Sequence, residues 1–277
     1  MNHLPLLLLL TSGAFGSFLT KRENANLQMS CGKDIVSKMD GQMRYGKTPW
    51  AVLTQLTDKY AGVVISPRHL LTWNVEVGYN WHSDTTGQPY SPEECRDRYM
   101  QLKPGRTFYA SWWETDRNGQ KVQKWTNAAP NNMFYIGQCD ANARRQYPNG
   151  FILVEYRQDV FKQSACLPFH KRLSIGERVQ GQSYNQNGHG NRVFDFNTVF
   201  CGRQNDDRHC VRKGFLTKQD RGSPLIKHVG GQSTVFGVLG DVAYNSNPSS
   251  DEYFNIAKHL DVVCFLSGIC DPRMAGK

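Results

Sequence analysis

Short apolar stretches separated by Gly, Pro and Asn make up most of the hydrophobic pattern of this chain. Four of them, residues 49–53, 62–75, 151–156 and 233–239, are rich in aliphatic and aromatic residues and have the length of one or two β-strands. In the second stretch two apolar runs flank a Ser-Pro pair, which predicts a hairpin. The pattern therefore predicts a fold built mainly from β-strands.

Two segments have a helical rather than a strand pattern. A polar, helix-compatible leader begins at Leu19 and runs to Cys31. Near the end of the chain, residues 251–264 place apolar side chains at helical spacing, namely Phe254, Ala257, Leu260, Val263 and Cys264. We expect this last segment to form a C-terminal helix.

Residues 76–149 form a long polar and aromatic segment in which strand-like pieces alternate with Asn, Gly and Pro turns. It contains four tryptophans, Trp81, Trp112, Trp113 and Trp125. These rings either form the core of an enlarged loop region, which is the interpretation we favour, or lie exposed as a platform for carbohydrate or a partner protein.

The composition is that of a basic globular protein. The 277 residues are 39% hydrophobic, enough to bury the core of one large β domain or two smaller ones. The formal net charge of +9 favours acidic partners such as glycosaminoglycans, anionic surfaces or nucleic acid. A basic secreted protein with no such partner would have the same composition, so both interpretations stay open.

The first residues have the features of a cleaved signal peptide. Residues 4–10 are apolar but too few to span a bilayer, and small residues follow them. No later stretch is apolar enough for a membrane helix. We therefore expect residues 1–16 to be a signal peptide, and the mature chain to be secreted and extracellular without a membrane span.

All eight cysteines follow that segment, and an even number in a secreted chain predicts disulfides. The cysteines form no C-x-x-C motif, and no paired histidines lie at ligand spacing. We therefore expect no metal site and no cofactor.

The turn at residues 218–225 carries the first specific motif. It matches the G-D-S-G-G-P-L nucleophile turn of trypsin-like serine proteases at four positions, Asp220, Gly222, Pro224 and Leu225. Residues 62–72, G-V-V-I-S-P-R-H-L-L-T, resemble the first barrel of a nematode-expanded group of these proteases. The resemblance covers nearly all of residues 31–270. It implies an all-β, chymotrypsin-like fold of two six-stranded antiparallel Greek-key barrels followed by a C-terminal α-helix.

The three positions that would hold the catalytic triad carry other residues. By resemblance, Val75 stands where the family has its histidine, Gly150 where it has its aspartate, and Arg221 where it has its serine. Acyl transfer needs a hydroxyl nucleophile, an imidazole base and a carboxylate that orients the base. Since these three residues supply none of those groups, we expect a pseudoprotease with no catalytic residues and no proteolytic activity.

Nearby residues offer no obvious substitutes for the triad. His69 is the family's non-catalytic histidine, which we expect at the end of a strand. Glu155 alternates with apolar neighbours, and we expect it to face solvent. Ser223 lies two residues beyond the nucleophile position with no histidine near it in sequence, so we reject it as a displaced nucleophile.

Other parts of the catalytic machinery are altered as well. Gln219 stands where the family has the glycine whose backbone N–H helps to form the oxyanion hole. Phe215 replaces the specificity aspartate. Family members are cut before an apolar start, and the new amine pairs with the aspartate next to the nucleophile, but residues 37–41 lack that start. We therefore expect Asp220 to pair with a basic neighbour such as Arg221.

The resemblance also implies disulfide pairings and boundaries. It pairs Cys31 with Cys166, Cys201 with Cys210 and Cys264 with Cys270, while Cys95 and Cys139 would close the long segment that contains them. After the signal peptide we expect a leader or pro-segment at residues 17–37, an inactive trypsin-like domain at 38–270 and a tail at 271–277.

Three functions fit these features. In the first, a secreted pseudoprotease binds a partner through a basic groove. Residues 201–228 contain seven Lys or Arg and three Asp, a local charge of +4. The groove residues would be Arg212, Lys213, Phe215, Lys218, Gln219 and Arg221. The second is a residual or unconventional serine-type peptidase, and the third is a decoy for protease inhibitors or a binder of polyanions on microbial surfaces.

The expected partners are accordingly a protein, such as a protease or an inhibitor, or an anionic polysaccharide. We expect no nucleic-acid partner and a monomeric chain.

Overall fold

A computed structural model of the chain describes residues 18–33, 48–55, 59–73, 98–102, 108–115, 117–118, 120–126, 129–137, 150–185, 190–201, 207–212, 216–240 and 250–273. These residues form two antiparallel sheets and two α-helices. The apolar stretches at 49–53, 62–75, 151–156 and 233–239 all contribute strands at or close to their expected positions.

The first sheet has eight strands in the described residues, two more than the six expected. Its strand order is β4-β7-β8-β3-β2-β1-β5-β6, and the long segment at 76–149 supplies four of the strands. The strands are β1 (Ala51–Gln55), β2 (Lys59–Ser66), β3 (His69–Trp73), β4 (Tyr99–Leu102), β5 (Tyr109–Thr115), β6 (Lys121–Trp125), β7 (Asn132–Gly137) and β8 (Gly150–Glu155).

The second sheet closes into a six-stranded barrel in the order β10-β11-β14-β13-β12-β9. Its strands are β9 (Arg178–Asn185), β10 (Gly190–Val199), β11 (Arg208–Arg212), β12 (Pro224–Val229), β13 (Gln232–Leu239) and β14 (Ser250–Asn255). The expected fold class, mostly antiparallel β with a C-terminal helix, is confirmed.

The C-terminal helix begins later than expected. Residues 250–255 form β14, which pairs with both β11 and β13 and so completes the barrel. A short 3-10 helix, Ile256–His259, precedes the α-helix α2, Leu260–Ser267. Of the residues predicted at helical spacing, only Phe254 lies in the strand, so the helical pattern was extended one strand too far back.

The leader is an integral part of the fold. Helix α1, Lys21–Ser30, begins with a reciprocal capping box between Thr20 and Glu23. Asn24 donates to the backbone O of Cys270 at 2.9 Å and accepts from its backbone N–H at 3.3 Å. Because these contacts join the leader to the end of the chain, α1 is held at both its own cap and its buried face.

Three of the implied disulfides are present, and they are Cys31–Cys166, Cys201–Cys210 and Cys264–Cys270. The first ties the leader to the segment between the two sheets across 135 residues of sequence. Cys95 and Cys139 lie outside the described residues.

The tryptophans of the long segment divide between the two interpretations. Trp112 is buried and packs edge-on against Phe161, with ring centroids 5.2 Å apart. Trp125 on β6 is 45% exposed, and Trp113 is half-buried. Trp81 lies outside the described residues. The core interpretation therefore holds for Trp112 but not for Trp125.

The hydrophobic core is uneven. A large cluster fills the first sheet and extends to α1, α2 and the near side of the barrel. The cluster inside the barrel is much smaller because polar side chains, among them Ser183 and Asp220, occupy part of the barrel interior with no exposed surface. None of the helices in the described residues is long and apolar enough to cross a membrane.

Candidate functional site

The motif turn lies where the two sheets meet. Lys218–Asp220 forms a short 3-10 helix, and β12 begins at Pro224. The backbone O of Arg221 accepts from the N–H of Ala61 on β2 at 2.8 Å. Gly222 has φ +85°, and a Cβ on it would lie 1.9 Å from the backbone O of Ala61. Only glycine therefore allows the turn to approach the first sheet this closely.

Asp220 is fully buried, and four donors fill its two oxygens. Oδ1 accepts from the hydroxyl of Ser183 and from Nη2 of Arg192, the latter at 2.6 Å. Oδ2 accepts from the backbone N–H of Thr217 at 2.7 Å and from its hydroxyl at 2.9 Å. The expectation that Asp220 pairs with Arg221 is wrong, because the cation that pairs with it is Arg192 on β10.

Arg221 is directed at the first sheet. Its guanidinium carbon lies 4.1 Å from the ring centroid of Trp73, the last residue of β3. This is close contact for a cation–π interaction, and the ring is almost fully buried. Trp73 precedes Val75 by two positions in sequence, and Val75 itself lies outside the described residues.

Gly150, which we expect at the third triad position, has no room for a side chain. Gly150 opens β8 and faces Gly137 of β7 in register. A Cβ on Gly150 would lie 2.2 Å from the backbone O of Ile136 and 2.8 Å from the ring of Tyr135. An aspartate cannot be placed there unless the backbone of β7 moves away.

Glu155 does not face solvent, contrary to expectation. It is only 3% exposed and lies 3.5 Å from Nε2 of His69, whose Nδ1 is 2.6 Å from the hydroxyl of Ser66. The amide of Asn132 also donates to Glu155. Antiparallel pairing places His69 opposite Glu155 and turns both inward.

The group of Ser66, His69 and Glu155 has the residue types of a hydrolase triad but not its accessibility. Neither Ser66 nor His69 has any exposed surface, so no substrate reaches the hydroxyl. Burial lowers the pKa of His69, and nearby Glu155 opposes this shift without reversing it. The arrangement suits a neutral imidazole that links β2, β3 and β8. His69 is the first residue of β3, a terminal position in a strand as expected.

Ser223 is also fully buried. Its backbone N–H donates to the O of Asp220 at 3.0 Å, and its backbone O accepts from Leu239 at 2.8 Å. Its hydroxyl has no hydrogen-bond partner among the described residues. A fully buried serine whose hydroxyl has no partner in this part of the chain fits a packing role.

The residues expected to form a basic groove have varied surroundings. Arg212 and Gln219 are exposed. Lys213 and Phe215 lie outside the described residues, as does the side chain of Lys218.

Two other cations of that stretch are engaged elsewhere. Arg208 forms an ion pair with Glu252, and Lys227 forms one with Glu177 at 2.7 Å. The local positive charge is therefore smaller than the count from sequence.

The sequence did not predict three residues of this site, namely Trp73, Ser183 and Arg192. Their roles depend on which strands face each other in the barrel and across the junction. In the sequence, the one local sign of such a role was the position of the charged Arg192 directly before the apolar pair Val193 and Phe194. Among the described residues, no group of three or more His, Cys, Asp or Glu could hold a metal ion.

Two antiparallel sheets that meet at a turn with a buried aspartate and a close-packed glycine define a protein of the trypsin-like serine protease class. The model of the nematode trypsin-6-like family matches residues 3–270. The chain therefore belongs to that family.

The fold is also similar to a solved structure, the scabies mite inactivated protease paralogue S-I1. The TM-score is 0.55 at 14% sequence identity, over 82% of this chain and 98% of that one. At this identity the likeness shows the shared fold. No curated protein sequence matches the chain significantly.

Proposed function

We propose that this protein is a secreted, non-catalytic member of the trypsin-like class that acts by binding rather than by hydrolysis. The observation that carries the proposal is the closed position at Gly150, where a Cβ would lie 2.2 Å from a backbone oxygen. The orienting carboxylate of a triad has no room there, because residues of β7 occupy the space that its side chain would need. A chain with only its serine replaced would lack this feature.

The surroundings of Arg221 support the same proposal. A guanidinium cannot act as a nucleophile near neutral pH because it stays protonated. Its position over Trp73 fills the space beside the turn with packed side chains. Pairing with a ring of the other sheet makes Arg221 part of the junction between the sheets.

The proposed organisation follows the sequence boundaries. Residues 1–16 would be removed as a signal peptide, residues 38–270 would form the inactive domain, and residues 271–277 would form a tail. The leader at 17–37 would stay attached after any cleavage that follows it, because Cys31 is bonded to Cys166.

The partner would be a protein, such as a protease or an inhibitor, or an anionic polysaccharide. The net charge of +9 and the exposed position of Arg212 favour the polysaccharide. Elution from a heparin column at different salt concentrations separates the two classes. Loss of binding with salt and with charge reversal at Arg212 and Lys213 would support electrostatic recognition. Binding that persists would support a shape-specific protein partner.

The absence of catalysis is tested with the mature chain. It is incubated with a panel of fluorogenic peptides and with a fluorophosphonate that labels active serines. We expect no turnover and no labelling. Stoichiometric labelling that disappears in Ser223→Ala would show a working nucleophile and overturn the proposal, whereas turnover that survives mutation of Ser223 and of every histidine would come from a contaminant.

A further inference from the structure

We propose that Arg192, on strand β10, supplies the positive charge that the buried Asp220 needs, so that the motif turn is ordered without proteolytic cleavage of the chain. In the family pattern that charge comes from a new amino terminus. Here the sequence at residues 37–41 lacks the apolar start of such a terminus. The proposal concerns how the proposed binding protein reaches its final fold.

The geometry of the two strands directs Arg192 to Asp220. Arg192 on β10 is the register partner of Ser183 on β9, so both side chains leave the strands on the same face. Both reach Oδ1 of Asp220, the guanidinium at 2.6 Å. The guanidinium carbon also lies 5.3 Å from the ring centroid of Phe194, which holds the side chain from its other side.

The carboxylate is complete without a further donor. Each oxygen of Asp220 accepts two hydrogen bonds, one pair from Ser183 and Arg192 and the other from Thr217. A buried carboxylate is tolerated only when it is paired and its oxygens are hydrogen-bonded. An amino terminus created by cleavage would have to displace one of these donors. Cleavage therefore adds no hydrogen bond that Asp220 lacks.

The same contacts order the turn as a whole. Asp220 accepts from Thr217 through its side chain, while its backbone O accepts from the N–H of Ser223. Gly222, which precedes Ser223, donates its backbone N–H to the O of Leu239 at 2.8 Å. Protection of the Gly222 and Ser223 amides from hydrogen exchange therefore reports directly on the order of the turn.

The first test compares the intact mature chain with the same chain cut once within residues 34–47. Both forms keep the leader through the Cys31–Cys166 bond. We expect equal melting temperatures and equal protection of the two turn amides. Amides that exchange freely in the intact chain and become protected after cutting would overturn the proposal.

The second test removes the charge. Arg192→Met should lower the melting temperature by on the order of 10 °C and deprotect the turn amides, since it leaves a buried carboxylate unpaired. Arg178→Met is the matched control, because Arg178 on β9 forms an exposed ion pair with Asp195 at 2.9 Å. We expect a shift of at most about 2 °C for this control. Equal shifts for the two variants would overturn the proposal.

Two further variants keep the test decisive if Arg192→Met does not fold. Arg192→Lys keeps the charge and should retain amide protection with a smaller loss of melting temperature. The double variant Arg192→Met with Asp220→Asn removes both charges and should melt above Arg192→Met. A double variant that melts lower still would show that Arg192 stabilises the barrel by some other contact.

The outcomes are separable from those of the proposed function. Peptide turnover would refute the absence of catalysis and leave the role of Arg192 intact. A turn that is ordered only after cleavage would refute the role of Arg192, and the chain could still be inactive.

Discussion

Replacing Gly150 by alanine should destabilise the protein far more than its small size suggests. The ideal Cβ would lie 2.2 Å from the O of Ile136, about 1.2 Å (3.4 − 2.2) inside the 3.4 Å lower limit of ordinary contact. The obstacle is backbone, and a rotamer change cannot relieve it. Gly150 pairs with Gly137 across β7 and β8, so the pairing itself must shift.

The expected cost lies at or above the upper end of overpacking, about 3 kcal/mol. For a domain of this size that corresponds to a fall of roughly 6–12 °C in melting temperature. Gly150→Asp should cost more, since it adds a carboxylate to a buried strand. The assay is urea unfolding followed by tryptophan fluorescence, at constant m-value.

The matched control is Gly176→Ala. A Cβ on Gly176 meets nothing within 4 Å, although its φ is +85°. Its alanine variant therefore bears only the left-handed backbone cost of about 1–2 kcal/mol. If Gly150→Ala unfolds at the same urea concentration as the native protein, β8 has room for a side chain. The strongest support for a closed triad position would then be gone.

Other substitutions test the remaining structure. The contribution of His69 to stability should be constant well above pH 6.5 and fall below it, because burial lowers the pKa of His69 and the unfolded chain then binds a proton that the folded chain does not. The slope is at most about 1.4 kcal/mol per pH unit for this group, and unfolding of His69→Gln between pH 5 and 7.5 should show a shallower dependence. Cys31→Ser should cost about 2–5 kcal/mol in urea unfolding, since its bond to Cys166 closes a long loop; an unchanged midpoint would show that α1 is held by its other contacts alone. The triple variant Val75→His, Gly150→Asp, Arg221→Ser should remain inactive on fluorogenic peptides, and measurable turnover would show that the strand adapts.

The outline of the fold could be predicted from sequence because its causes are local. Apolar runs with Gly and Pro punctuation predict strands β1, β2, β3, β8 and β13, and the motif turn precedes β12. The cysteine pairs followed from the family resemblance, because the pattern carries them at fixed positions. The number of strands in the first sheet was underestimated because the strand-like pieces between 76 and 149 were interpreted as parts of an enlarged loop region.

Side-chain partners were predicted less well because they depend on strand register. Glu155 was expected in solvent, since the alternation of residues along one strand does not show which side chains of the adjacent strand lie beside them. His69 covers it from the adjacent strand. The helix at the C-terminus was placed too early for a related reason, since β14 completes the barrel only when β11 and β13 are both in place.

The sequence by itself determined the class of fold and the replacement of the triad residues, because both are written in residue types at fixed positions of a motif. Only the tertiary structure decided what surrounds those residues. The space beside Gly150 is set by the backbone of β7, and the ring beneath Arg221 comes from the other sheet. The partner of Asp220 is likewise distant in sequence: it is Arg192, 28 residues away. Its Nη2 lies 2.6 Å from Oδ1 of Asp220 because β10, β9 and β12 are neighbours in the barrel. Such contacts join residues that are distant in sequence, so no local pattern encodes them.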